Sequence, residues 1–163
     1  MLQKTIDKLI RKEQTKPLHC IDTNVFLEST IDTKLGEICR SHLSNMGKGK
    51  YYRGVIPVSV LGETMMIIFR DNNDPAERMA KLDLLEKFMR MRNISFAVPK
   101  SEDHILIDEL IREYRVEELD AEHLASGKRA GADAFVTFDS DMLNNKTLKE
   151  KLGLEIKHPK EFI

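Results

Sequence analysis

The chain has 163 residues, 41% of them apolar and 33% charged, and its 26 Lys and Arg nearly balance its 27 Asp and Glu for a formal net charge of -1. This profile fits one domain with its own core and excludes a protein that coats nucleic acid by bulk charge; no apolar run approaches the roughly 18 residues of a membrane span. Two cysteines without CxxC spacing and five scattered histidines form no zinc pattern, so any metal here is expected to be a hard one.

Residues 2 to 16 place Leu2, Ile6, Leu9 and Ile10 on one helical face and stop at Pro17, so residues 1–17 are expected to form a helical extension ahead of a domain spanning 18–163. The charges of both signs in this stretch are unlike a secretory signal, which makes the cytoplasm the expected location. Leu18 to Ile21 is a short apolar run ended by Asp22, the pattern of a first strand. Asp32 can cap a helix carrying Leu35, Ile38, Cys39, Leu43 and Met46. Tyr51 to Ile56 predicts a second strand, stopped by Pro57, after which Ser59 can cap a helix with Glu63, Met66, Ile67 and Phe69. Asp74-Pro75-Ala76-Glu77 has the order of a capping box, opening a helix expected to run to about Arg92.

Ile94 to Val98 predicts a third strand, Ile107, Leu110, Ile111 and Tyr114 line a helix, and a shorter helix is expected from Asp120 to Ala130, closed by Gly131. Ala134 to Phe138 is the fourth strand and Leu154 to Lys157 the fifth. Strands separated by helices imply parallel pairing with right-handed crossovers, hence a three-layer α/β/α sandwich. Ligands in such sheets bind beyond the carboxyl ends of the strands, where Asp22 and Asp139 are expected.

Asp22, Glu63, Asp120 and Asp139 each sit at the edge of an element, and their elements can converge. Packed carboxylates repel unless a cation neutralises them, and Mg²⁺ or Mn²⁺ suits oxygen ligands. Singly, Asp22 can serve turn chemistry and Asp120 an N-cap. Glu63 is harder to assign to structure alone, because it lies among Leu61, Met65, Met66 and Ile67, where an apolar helix should pack.

The pieces IDTNVFLE, VSVLGE, LDAEHLASGKRAGAD and FVTFDSDM, in that order, resemble the PIN domain family of metal-dependent nucleases, which includes the toxins of toxin–antitoxin pairs. The resemblance implies a sheet in the order 3-2-1-4-5, with Asp22, Glu63, Asp120 and Asp139 as an acidic quartet and Asp141 as an auxiliary metal ligand. Thr23, Asn24 and Thr137 are then the polar neighbours that hold these carboxylates. The implied activity is hydrolysis of RNA phosphodiesters by a Mg²⁺- or Mn²⁺-dependent endoribonuclease, as a toxin or in RNA maturation. An antitoxin protein and a homodimer are the implied protein partners.

Two rival readings stand beside this one. A PIN-like module without cleavage would be a scaffold that binds metal and RNA. A receiver or phosphatase phosphorylated on Asp22 would need a DxDxT sequence or a lysine at a later strand end, whereas here Thr23 and Asn24 follow Asp22 and strand four ends at Asp139. For RNA contact the local candidate is Lys48, Lys50 and Arg53, beside Tyr51 and Tyr52, expected to rim the acidic cleft. His123 is expected to be a hydrogen-bonded structural histidine, and Met65, Met66, Met79 and Met89 to be core packing.

Overall fold

Residues 15–162 are described by the structure, a computed structural model. The helix expected over residues 2 to 16 lies almost wholly outside the described residues. Strand β1 (Leu18–Ile21) leads to helices α1 (Thr23–Ser29) and α2 (Lys34–Gly47), then β2 (Arg53–Pro57), α3 (Val58–Asp71), α4 (Pro75–Met89) and β3 (Ile94–Ala97). A 3₁₀ turn (Ser101–Asp103) opens α5 (His104–Tyr114), followed by α6 (Glu118–Arg129), β4 (Ala134–Val136), α7 (Ser140–Asn144), α8 (Lys146–Leu152), β5 (Glu155–Lys157) and a last 3₁₀ turn (Pro159–Phe162).

The five strands form one all-parallel sheet in the order β3-β2-β1-β4-β5. Successive strand residues point to opposite faces, and the core divides accordingly. Leu18, Cys20, Val55, Phe135 and Ile156 pack with Leu110 of α5, Leu124 of α6 and Leu148 of α8. On the other face Ile21, Ile56 and Val136 pack with Phe26 of α1, Leu43 and Met46 of α2, and Leu85 and Phe88 of α4. Fully buried side chains of this size contribute about 1.5–3 kcal/mol each, so both helical layers are held by burial.

Helix α1 has no counterpart in the sequence reading. It starts at once after β1 because the Asp22 carboxylate accepts the Thr23 N–H as an N-cap. Helix α2 is capped by Thr33, whose hydroxyl accepts from the Gly36 N–H, in place of Asp32. Asp74 caps α4 as expected, but Glu77 pairs with Lys81 at 2.7 Å, and the helix ends at Met89. Ser59 lies inside α3, which has no side-chain cap, and its hydroxyl donates to Glu122. Both cysteines are free and buried, Cys20 touching α6 and Cys39 on the inner face of α2.

Met65, Met66 and Met79 are 42%, 73% and 60% exposed, so they are surface residues and not core. Among the described residues, no helix is long and apolar enough to cross a membrane.

Candidate metal centre

The sheet reverses its order between β1 and β4, and there the chain gathers its acids. The Asp22 N–H donates to the Val136 carbonyl at 3.1 Å, which fixes the end of β1 against β4. The Asp22 side chain is 3% exposed and accepts from the Thr23 N–H (2.8 Å), Asn24 Nδ2 (2.8 Å) and Thr137 Oγ1 (2.6 Å). Thr137 continues the network, since its hydroxyl accepts the Asp139 N–H at 3.0 Å and lies 3.1 Å from Asn24 Nδ2. Asn24 Oδ1 in turn accepts the Phe138 N–H at 3.2 Å. Asn24 and Thr137 thus tie the ends of β1 and β4 together, while Thr23 holds Asp22 through its N–H.

Asp139 does not end β4 directly. It lies three residues beyond the strand and caps α7, accepting from the Asp141 N–H at 2.7 Å and the Met142 N–H at 3.1 Å. Asp120 is the third residue of α6 and caps nothing; the N-cap position is Glu117, whose side chain makes no capping bond. The cap explanation for Asp120 therefore fails. Helix α6 can come this close because Gly127 packs on β1: a Cβ there would lie 2.7 Å from Cys20 Sγ. Burial, then the charge of Asp22 alongside, push the Asp120 carboxyl up to about 7, with Asp139 adding to the push and His123 opposing it.

Asp120, Asp139 and Asp141 line a cleft of about 160 Å³, closed on its other side by Tyr114, Arg115, Met142 and Asn145. Arg115 was not marked by the sequence. It ends α5 in the left-handed region (φ 56°), and it brings a cation to the wall of an acidic cleft. Glu63, half-buried in α3, joins through Thr23, whose hydroxyl donates to its carboxylate at 2.5 Å. Glu63 is not enclosed in a packed apolar helix face as its neighbours in sequence suggest: Met65, Met66 and Phe69 around it are exposed, and together with Leu119 and Glu63 they line an open apolar trough.

Ligand atoms of Asp22, Asp120 and His123 lie within 4.8 Å of one another. His123 is fully buried with neither ring nitrogen hydrogen-bonded, which overturns the expectation of a hydrogen-bonded structural histidine. Converging carboxylates, one of them resisting ionisation, together with orphaned nitrogens fit a divalent cation.

Lys48, Lys50 and Arg53 are not at this cleft. They lie where the chain enters β2, and Arg53 pairs with Leu18 at the start of β1, the opposite edge of the sheet from Asp22. Arg53 Nε there donates to the Lys16 carbonyl at 3.3 Å, and Lys50 lies over the Tyr51 ring.

The family model for the PIN domain matches residues 19–147, and the chain belongs to that family. Its fold is similar to that of FitAcB from Neisseria gonorrhoeae (13% identity, TM-score 0.62, covering 87% of this chain and 98% of that one). It is similar also to VapBC2 from Rickettsia felis, solved with a DNA fragment from the promoter (16%, 0.60, covering 86% and 98%). A third likeness is to VapC20 of Mycobacterium tuberculosis, described as a sarcin-ricin loop cleaving toxin (16%, 0.56, covering 76% and 91%). No curated protein matches the sequence significantly.

Proposed function

We propose that this PIN-domain chain is a metal-dependent endoribonuclease whose centre is built from Asp22, Glu63, Asp120 and Asp139, with Asp141 as an auxiliary ligand. The observation that carries the reading is the meeting of Asp22, Asp120 and Asp139 beyond the carboxyl ends of two adjacent parallel strands, where Asp120 resists ionisation without a compensating charge. Asp22, Asp120 and Asp139 would hold a Mg²⁺ or Mn²⁺ ion, which would supply the charge needed to make a water nucleophilic and to offset negative charge on a leaving oxygen.

The protein's own groups do the rest. Thr23, Asn24 and Thr137 hold the Asp22 carboxylate in one orientation, so the ligand does not have to be ordered during binding. The N-cap bonds from Asp141 and Met142 do the same for Asp139. Arg115, on the cleft wall, meets a phosphate oxygen of the strand being cut and draws a polyanion towards an otherwise acidic cleft. An RNA target and a toxin role are supported by family membership and by the likeness to a sarcin-ricin loop cleaving toxin. The apolar trough of Met65, Met66, Phe69 and Leu119 beside Glu63 supports a protein partner, either an antitoxin or a second copy of the chain. Residues 1–17 are assigned to an extension outside the nuclease domain.

The test is cleavage of several RNAs, including a ribosomal stem-loop, by the full chain with Mn²⁺, Mg²⁺ or a chelator. Metal-dependent internal cuts are expected, with Asp22→Asn lower by roughly a hundredfold or more, the scale of losing a group that stabilises transition-state charge. Equal activity of wild type and Asp22→Asn on every RNA would refute the proposal.

A further inference from the structure

Two atoms at this site have no account in the fold. His123 sits one turn beyond Asp120 in α6 at 0% exposure, and both its ring nitrogens lack hydrogen-bond partners. A buried polar atom left unpaired has lost its water without a replacement, so a ring with two of them is not explained by packing. The nitrogens are not aimed at apolar surroundings. Nδ1 lies 3.6 Å from Asp22 Oδ1 and Nε2 lies 4.0 Å from Glu122 Oε2, both beyond hydrogen-bond length.

The two sides of the ring differ in character. On the Nε2 side Glu122 is fixed from outside, accepting from the Ser59 hydroxyl of α3 and from Ser126 Oγ at 2.6 Å. On the Nδ1 side are Asp22 and Asp120, whose oxygens lie with a His123 nitrogen inside a 4.8 Å span. Donors on opposite sides of a cation with bonds of roughly 2.0–2.2 Å stand about 4.0–4.4 Å apart, so a small side-chain movement closes the set. Carboxylate, imidazole and metal in a row is the arrangement by which proteins fix a ligating histidine: the distant carboxylate accepts the outer N–H and leaves the inner nitrogen's lone pair for the ion.

We propose that His123 is a nitrogen ligand of the metal centre, its Nδ1 completing the set with Asp22 and Asp120 and its Nε2–H held by Glu122. The inference rests on the metal-dependent reading above and narrows it. An imidazole ligand raises affinity for Mn²⁺ and Co²⁺ more than for the hard Mg²⁺ ion, so the centre discriminates in favour of the transition metals.

The test uses the full-length protein and Mn²⁺ alone, without RNA. Pulsed electron paramagnetic resonance of the bound ion should show a nitrogen-14 coupling, and the pattern should change to that of nitrogen-15 when the protein is made with labelled histidine. His123→Gln should lose the coupling and weaken Mn²⁺ binding by roughly tenfold or more, as measured by calorimetry, while Mg²⁺ binding changes less. Glu122→Gln should keep the coupling but weaken binding to a smaller extent.

Mn²⁺ that binds in an Asp22-dependent way with no histidine nitrogen coupling would overturn the ligand role and leave the carboxylate centre standing. Absence of any Asp22-dependent Mn²⁺ binding would overturn both. The isotope comparison needs only the wild-type chain, so the proposal stays falsifiable even if a variant fails to fold.

Discussion

Replacing Gly127 with alanine tests the packing that delivers α6 to the acidic cluster proposed to hold the metal. A Cβ at this position would stand 2.7 Å from Cys20 Sγ and 3.0 Å from its Cβ, and Cys20 is fully buried. Overpacking of this kind costs about 1–3 kcal/mol, and removing a mid-helix glycine returns roughly 0.5–1 kcal/mol. At the middle of these ranges the net loss is about 1 kcal/mol, which for a chain of this length corresponds to a fall in Tm of roughly 2–4 °C.

The displacement also has a direction. Asp120 and His123 ride on the same helix, so pushing α6 off β1 moves both away from Asp22, and Mn²⁺ binding should weaken along with stability. Thermal unfolding of Gly127→Ala, Cys20→Ala and the double variant forms a cycle. The double variant should be less destabilised than the sum of its parts, because shortening Cys20 removes the atom the new methyl strikes. A Gly127→Ala chain as stable as wild type, with additive behaviour in the cycle, would show that this contact does not set the height of the helix.

Thr137→Val keeps the shape but removes a hydroxyl that donates to Asp22 and accepts the Asp139 N–H; unpaired groups of this kind cost about 1–3 kcal/mol, read as a lower Tm together with weaker metal binding. Asp120, pushed up to about 7 against an ordinary 3.8, holds its proton in the folded metal-free chain through a range where the unfolded chain has lost it. The stabilising contribution of Asp120 in the metal-free protein, read as the difference between wild type and Asp120→Asn, should therefore fall as pH rises from about 4 to 7 and then level off, against the opposite trend set by the buried histidines. Mn²⁺ affinity should rise over the upper part of that range, with proton release seen by calorimetry in two buffers, and Asp120→Asn should remove this rise.

On the far side of β1, His19 and His42 are stacked with Tyr52 and Phe162. Burial lowers both histidines, His19 to about 3 with help from the neighbouring His42 and Lys157, and His42 to about 4. The unfolded chain takes up these protons first, so urea midpoints should fall as pH drops from 6.5 towards 4, and less steeply in His42→Phe.

The alternation of strand and helix patterns was enough to specify a parallel sandwich, because each buried strand is short, apolar and bounded by turn residues. The acids at the ends of β1 and β4 follow from that reading, since parallel pairing puts every strand's carboxyl end on one edge. The same rule locates Lys48, Lys50 and Arg53, which enter β2, on the opposite edge, and composition alone hides this. Helix α1 was not legible because Val25, Phe26 and Leu27 have no visible period over so few residues, and its start depends on the Asp22 side chain. Met65, Met66 and Phe69 show the limit of apolar pattern: it marks a face that needs covering and does not say whether the chain covers it. His123 is the sharpest case, since only the positions of Asp22 and Glu122 around its ring separate a ligand from a packed side chain.

Arg115 shows where foldability and activity part company. A non-glycine residue in the left-handed region costs about 1 kcal/mol, and helix ends of this kind ordinarily carry glycine. Selection for heat resistance alone would exchange this arginine early, and selection for nucleic-acid turnover would restore it. A library sorted for each property in turn would therefore divide at this position, and the division would mark the cleft without any knowledge of its substrate.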